Sequence, residues 1–110
     1  MPTTYKVLGQ SAPSATTNTN LYTVPAATSA VISTLVIANR AATSATYRIA
    51  IRPAGAAITN QHYIAYDVAI SASDSTTLTL GITLAATDVI SIYAGNANLS
   101  FSVFGSEITD

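Results

Sequence analysis

The sequence predicts a single all-β domain over residues 1–110, an antiparallel β-sandwich or jelly roll of about eight short strands. Three observations predict it. Apolar runs are short and enriched in Val, Ile, Thr, Tyr and Phe, the residues that suit a pleated surface. Clusters of Gly, Pro, Asn, Asp and Ser separate those runs at sandwich-like spacing. Within most runs apolar and polar residues alternate, so each strand offers one face to a core. No helix longer than a turn is expected.

The expected strands are 5–9, 21–24, 30–39, 46–52, 63–70, 76–84, 89–94 and 99–104. Between the first two, a polar stretch at about 11–20 containing Pro13 reads as an extended arm or loop. Pro25 and Pro53 stop the strands before them. Arg52-Pro53-Ala54-Gly55 fits a type I turn, with proline second and glycine fourth. Ser71-Ala72-Ser73-Asp74-Ser75 suits a hairpin closure, and Gly95-Asn96-Ala97-Asn98 joins the last two strands, which makes the C-terminal half read as an antiparallel meander.

Alternation assigns faces. Ile64, Tyr66, Val68 and Ile70 are expected on one side of their strand and Tyr63, Ala65, Asp67 and Ala69 on the other; Leu78, Leu80, Ile82 and Leu84 oppose Thr77, Thr79, Gly81 and Thr83. Tyr47, Ile49 and Ile51 oppose Arg48, Ala50 and Arg52, while Leu99, Phe101 and Val103 oppose Ser100, Ser102 and Phe104. The run 31–38 is apolar on both sides, with Val31, Leu35 and Ile37 on one and Ile32, Val36 and Ala38 on the other. Either a fully central strand or a strand whose outer face meets another subunit accounts for that pattern.

Charge is scarce. Charged residues are 8% of the chain, against about 25% in an ordinary soluble domain. Four bases and five acids give a net charge of −1. A chain of this length exposes roughly 5,700 Å² when folded, or about one charge per 600 Å², a thin coat for a lone soluble molecule. Either Ser, Thr and Asn replace charge as the polar coat, or part of the surface is covered by copies of the chain or by partner subunits, and the second is the reading we expect. Candidate contact residues are Val31, Ile32 and Val36, with Tyr5 and Tyr22.

The bases Lys6, Arg40, Arg48 and Arg52 are scattered, which excludes the clustered footprint that nucleic-acid binding requires. No cysteine is present, so disulfides, thiolate metal sites and thiol catalysis are excluded. No run approaches the ~20 apolar residues of a membrane helix, and the first residues carry no signal-peptide pattern, so synthesis in the cytoplasm without export is expected.

No catalytic, cofactor-binding or metal-binding residues are expected. His62, the single histidine, lacks a Gly-x-Ser-x-Gly partner and reads as a surface or interface residue. The acids Asp67, Asp74, Asp88, Glu107 and Asp110 are far apart in sequence and outside any calcium-loop pattern, so each is expected to close a turn or pair with an arginine. Asp67 is expected to pair with Arg48 or Arg52 across a sheet. The six tyrosines allow a second reading, a face that stacks against host glycans or another receptor.

Taken in order, Tyr5-Lys-Val-Leu-Gly-Gln10, Leu21-Tyr-Thr-Val-Pro25, Val36-Ile-Ala-Asn39, Tyr47-Arg-Ile-Ala50, Ala65-Tyr-Asp67, Asp88-Val-Ile-Ser-Ile-Tyr93 and Phe104-Gly-Ser-Glu-Ile108 resemble a group of small virion structural proteins of tailed phages, especially phages of cyanobacteria. The resemblance spans almost the whole chain and lies in the order of the pieces rather than in any one. The pattern often carries glycine after Pro25-Ala26 and before Asp88, where this chain has Ala27 and Thr87. It implies a β-sandwich particle component located in the virion, non-enzymatic, self-associating as a trimer, with phage capsid or tail proteins as partners. A capsid decoration or cement protein is the first expectation, and a tail or baseplate adaptor or fibre-associated module the second.

Overall fold

The computed structural model describes residues 2–109, apart from the side chain of Leu80. Eight strands form: β1 (Thr3–Ser11), β2 (Thr19–Thr23), β3 (Thr28–Asn39), β4 (Ala45–Arg52), β5 (Tyr63–Ile70), β6 (Ser75–Leu84), β7 (Val89–Ala94) and β8 (Leu99–Thr109). Two four-stranded sheets face each other, one in the order β1-β8-β3-β6 and the other in the order β2-β7-β4-β5. Every strand pair is antiparallel.

The pairings β1·β8, β2·β7, β3·β6 and β4·β5 are the rungs of one long hairpin folded back on itself, which is the winding of an eight-stranded jelly roll. The expected C-terminal meander is therefore corrected. The turns at 71–74 and 95–98 carry the chain from one sheet to the other instead of closing hairpins, and β4 and β5 are the one pair of consecutive strands that bond to each other. Local turn chemistry is the same for both outcomes. Which partner a strand takes is set by the core face it must bury.

The core lies between the sheets, built from Ile32, Leu35, Ile37, Tyr47, Ile49, Ile90, Ile92, Leu99, Phe101 and Val103, with Tyr47 set edge-on to Phe101 at 6.4 Å between ring centres. Each of these large side chains contributes about 1.5–3 kcal/mol by leaving water. Asn39 closes one end. Its Nδ2 donates to the carbonyls of Thr43, Ile70 and Ser71 at 2.9, 3.4 and 3.2 Å, and its Oδ1 accepts from the Ala41 amide, tying three chain segments together around a nearly buried amide.

Bulges correct two face assignments. In β3 the register steps at Ser33, so Ala30 and Ile32 point inward before it and Leu35 and Ile37 after it, which leaves Val31, Val36 and Ala38 on the outer side. The extra residue pushes the β3 backbone against Gly105, where a β-carbon would collide with the Val31 carbonyl. In β5, two residues, Tyr66 and Asp67, stand opposite Arg48, and Asp67 takes a left-handed φ of 51°. Ile70 stays in the core, but Ile64 and Tyr66 turn outward and Ala65 turns in, reversing the expected alternation.

The segment 11–20 is a crossing loop rather than a free arm. Pro13 is buried, Ala15 bridges Ala94, and the Thr16 amide donates to the Ala94 carbonyl at 2.8 Å. The Pro53 turn is also corrected: Ala54 adopts φ 53° and ψ 25°, outside a type I turn, and its amide is held by Asp88 Oδ1 at 2.8 Å. Ala27 and Thr87, the positions where the resembling pattern carries glycine, both have positive φ, 54° and 68°.

Candidate functional site

The outer face of the β1-β8-β3-β6 sheet is poor in charge. Strand register sets its rows: Tyr5, Ser106, Val31 and Thr83 lie side by side, then Val7, Phe104, Thr34 and Thr79, then Gln10, Ser102, Val36 and Thr77. No outward side chain in these rows is ionised. Arg40 touches the end of the face, where its Nε donates to Ser100 Oγ at 2.9 Å. Tyr5 is 83% exposed and Val7 49%.

Of the expected contact residues, Val31, Val36 and Tyr5 share this face, Tyr5 and Val31 in one row. Ile32 and Tyr22 do not. Ile32 is wholly inside the core because the Ser33 bulge turns it inward, and Tyr22 is 8% exposed because β2 directs it between the sheets. Neither offers surface to a neighbour. The outer side of β3 is central in its sheet yet has no third layer above it.

All four edge strands carry a bulge of their own: Leu8 in β1, Leu21 in β2, Leu80-Gly81 in β6, and Tyr66-Asp67 with Ile64 in β5. Bulges interrupt the row of free backbone groups that a second strand would need in order to pair. The edges are therefore poor templates for adding a strand.

The outer face of the β2-β7-β4-β5 sheet has a different chemistry. The Arg48 guanidinium lies 4.2 Å from the Tyr66 ring centre and 4.3 Å from that of Tyr93, and its Nε donates to Asp67 Oδ1 at 2.6 Å. Of the two arginines expected as partners of Asp67, the neighbour is Arg48. That bond holds the Asp67 carboxyl below its ordinary pKa. Arg52 instead bonds the carbonyls of Gly55 and Ala56 and the side chains of Asn20 and Ser91, organising the turn after β4. Beyond Tyr66, the Tyr63 ring stands at 85° to it with centres 4.9 Å apart.

A third cluster bridges the sheets. The Tyr22 hydroxyl donates to Glu107 Oε2 at 2.5 Å, and Lys6 Nζ lies 2.7 Å from Glu107 Oε1. Lys6 and then Tyr22 hold the Glu107 carboxyl below its ordinary range, while burial first and Glu107 second push the Tyr22 hydroxyl far above its own.

His62 is buried rather than at the surface, and its Nδ1 accepts the Thr59 amide at 3.1 Å, closing the short turn Asn60–His62. Asp74 and Asp88 accept backbone amides at turns. Asp110 lies outside the described residues. Among the described residues no three His, Cys, Asp or Glu side chains group as metal ligands, and no helix is long and apolar enough to cross a membrane. No protein-family model matches the chain, and no curated protein sequence does.

Proposed function

We propose that the chain is a non-enzymatic structural subunit of a tailed-phage virion, seated through the outer face of the β1-β8-β3-β6 sheet against neighbouring subunits, in the first instance as a trimeric decoration or cement protein on the capsid. The observation that carries the reading is the uncharged outer face with Tyr5 and Val7 standing on it. Four strands about 4.8 Å apart, each contributing about eight residues of ~3.3 Å, give a face of about 500 Å². Laid on an equal area of a neighbouring subunit's surface, it buries about 1,000 Å² in total, the lower bound of a specific interface. Burying the Tyr5 ring, with its hydroxyl bonded, is worth about 1.5–3 kcal/mol.

Three further points support it. The protein exposes 5462 Å² in all and carries nine formal charges, a thin coat that cover by neighbouring subunits would explain. Its bulged edges disfavour strand addition. Left-handed backbone at Ala27 and Thr87 agrees with glycine at those places in the virion proteins that the sequence resembles. The jelly roll itself is used by viral capsid domains, an analogy at the level of fold that carries no function alone.

The test introduces a charge where the contact would be. Val7→Lys and Thr77→Lys both point to solvent in the lone subunit, so the fold is retained. In a contact each buries an unpaired ammonium at a cost of several kcal/mol. Light scattering of the wild type, with binding to purified particles followed by sedimentation, is expected to show self-association and capture, and both variants are expected to lose them. A wild type that stays monomeric at high concentration and ignores particles refutes the proposal. Labelled protein found on tails rather than shells moves the role to the baseplate.

A further inference from the structure

The structure carries a second surface that assembly leaves unexplained. Asn60, Tyr63 and Tyr66 line an open recess of about 510 Å³ beside β5, within the size range of small-ligand sites, about 300–1,000 Å³. We propose that this recess binds a neutral saccharide.

The recess exists because of the bulge at Asp67. A regular β5 would turn Tyr66 into the core, as plain alternation predicts; the inserted residue turns it out, where it is 56% exposed. Its ring is then held in place. Arg48 covers one side at 4.2 Å and is itself fixed between Tyr93 and Asp67. Tyr63 stands perpendicular and makes the second wall of a corner. Asn60 sits in the turn that His62 closes, so its backbone is anchored as well. Rings fixed before binding lose little freedom on binding, which is why rigid tyrosines make effective contact surfaces.

Chemistry selects the occupant. A pyranose has a face of C–H groups that packs on an aromatic ring and a rim of hydroxyls that bond to amide and phenol groups, and the recess supplies both. The neighbouring Arg48 is already paired with Asp67, so it does not call for a phosphate or carboxylate in the recess. An extended peptide would add to the β5 edge, which two bulges interrupt. A neutral sugar needs neither a charge nor an edge.

Titration of the full chain with cellobiose, maltose and N,N′-diacetylchitobiose, followed by saturation-transfer NMR and by the ring resonances of Tyr63 and Tyr66, tests the proposal. At least one of the three is expected to bind and to shift both rings. Tyr66→Ala is expected to weaken binding about tenfold, the fold-change for one well-stacked ring. Asn60→Ala weakens it by a smaller factor, and both variants melt close to the wild type because the two residues are exposed. Thr77→Lys, on the opposite sheet, leaves sugar binding intact and so separates this site from the assembly face. Silence from all three sugars at tens of millimolar, or full binding by Tyr66→Ala, overturns the proposal. So does loss of self-association rather than of sugar binding in Tyr66→Ala, since the recess would then be a protein contact.

Discussion

Replacing Ala54 by glycine is expected to stabilise the protein, and replacing Ala56, two residues on, is expected to destabilise it. Both alanines are exposed in the turn after β4. Ala54 has φ 53° and ψ 25°, in the left-handed region, whereas Ala56 has φ −55° and ψ 150°, a conformation any residue adopts. A left-handed L-residue carries a steric cost of about 1–2 kcal/mol, which glycine does not. Glycine in turn lowers stability by about 0.4–1 kcal/mol through the greater freedom of the unfolded chain. Ala54→Gly therefore gains about 0.5–1 kcal/mol, and Ala56→Gly loses about 0.4–1 kcal/mol. The entropic contribution is common to both, so their difference, about 1–2 kcal/mol, isolates the backbone strain. An unfolding entropy of ~2.1 cal/mol/K per residue over a chain this long makes 1 kcal/mol equal to about 4 °C. Calorimetry should then separate the two melting temperatures by about 4–8 °C. The hydrogen bonds from Ala54 N to Asp88 and from Ala56 N to the Pro53 carbonyl are backbone donations that survive either change. Equal melting temperatures, or the reverse order, would refute the reasoning.

Ala27→Gly and Thr87→Gly, at the other turn positions with positive φ, should each raise the melting temperature by a few degrees, Thr87 the more because its β-branch tolerates that region least. Asn39→Leu should cost about 2–4 kcal/mol in denaturant unfolding, since three carbonyls and the Ala41 amide lose their partner in a nearly closed site. The Lys6-Glu107-Tyr22 cluster sets both limbs of a pH-stability curve. Glu107 titrates lower in the folded protein than its ordinary 4.5, so its contribution is complete above 4.5 and is lost as pH falls through the folded value; Tyr22 titrates above its ordinary 10, so its contribution is complete below 10 and declines as pH rises beyond it. Tyr22→Phe should shrink the alkaline loss without abolishing it, because burial also raises Tyr47, and should move the acid limb upward as Glu107 loses a donor; melting curves across pH that superimpose on the wild type would contradict this.

The eight strands and the inward sides of β4 and β8 were legible in the sequence because each depends on neighbours two to eight residues away, and the Asp67-arginine pairing because two adjacent strands, β4 and β5, carry so few charges. Strand partners were not. The serine-rich turn at 71–74 makes one local bond, from the Ser75 amide to Asp74 Oδ1, that suits either course of the chain, and its bonds to Asn39 and Ala41 come from a segment some thirty residues away. Ile32 was assigned to the surface because an unbroken period of two places it beside Val36, and only the register of β3 against β8 reveals the extra residue at Ser33. A bulge leaves no hydrophobic signature of its own. It is a property of two strands, and one strand's sequence shows neither the mismatch nor its position. The charge-poor face was legible in composition but not in place, since it takes four strands from across the chain to assemble it.

The Asp67 bulge joins edge protection to the aromatic recess, and one substitution can show that geometry rather than charge does the joining. Asn tolerates left-handed backbone nearly as well as Asp and cannot pair with a guanidinium as an anion. Asp67 is substantially exposed, and its ion pair with Arg48 faces solvent, so losing the charge should leave stability close to that of the wild type. The bulge should persist in Asp67→Asn and keep Tyr66 outward, since the Tyr66 position follows from the register of β5 against β4. What changes is Arg48. Released from its carboxylate, it becomes an uncompensated cation beside the recess, and a negatively charged sugar such as a uronic acid should gain affinity over a neutral one. A ring spectrum of Tyr66 unchanged from the wild type, with that shift in preference, is the expected outcome. Collapse of the Tyr66 resonances toward core-like values in Asp67→Asn would mean that the ion pair, and not the inserted residue, holds β5 in its present register.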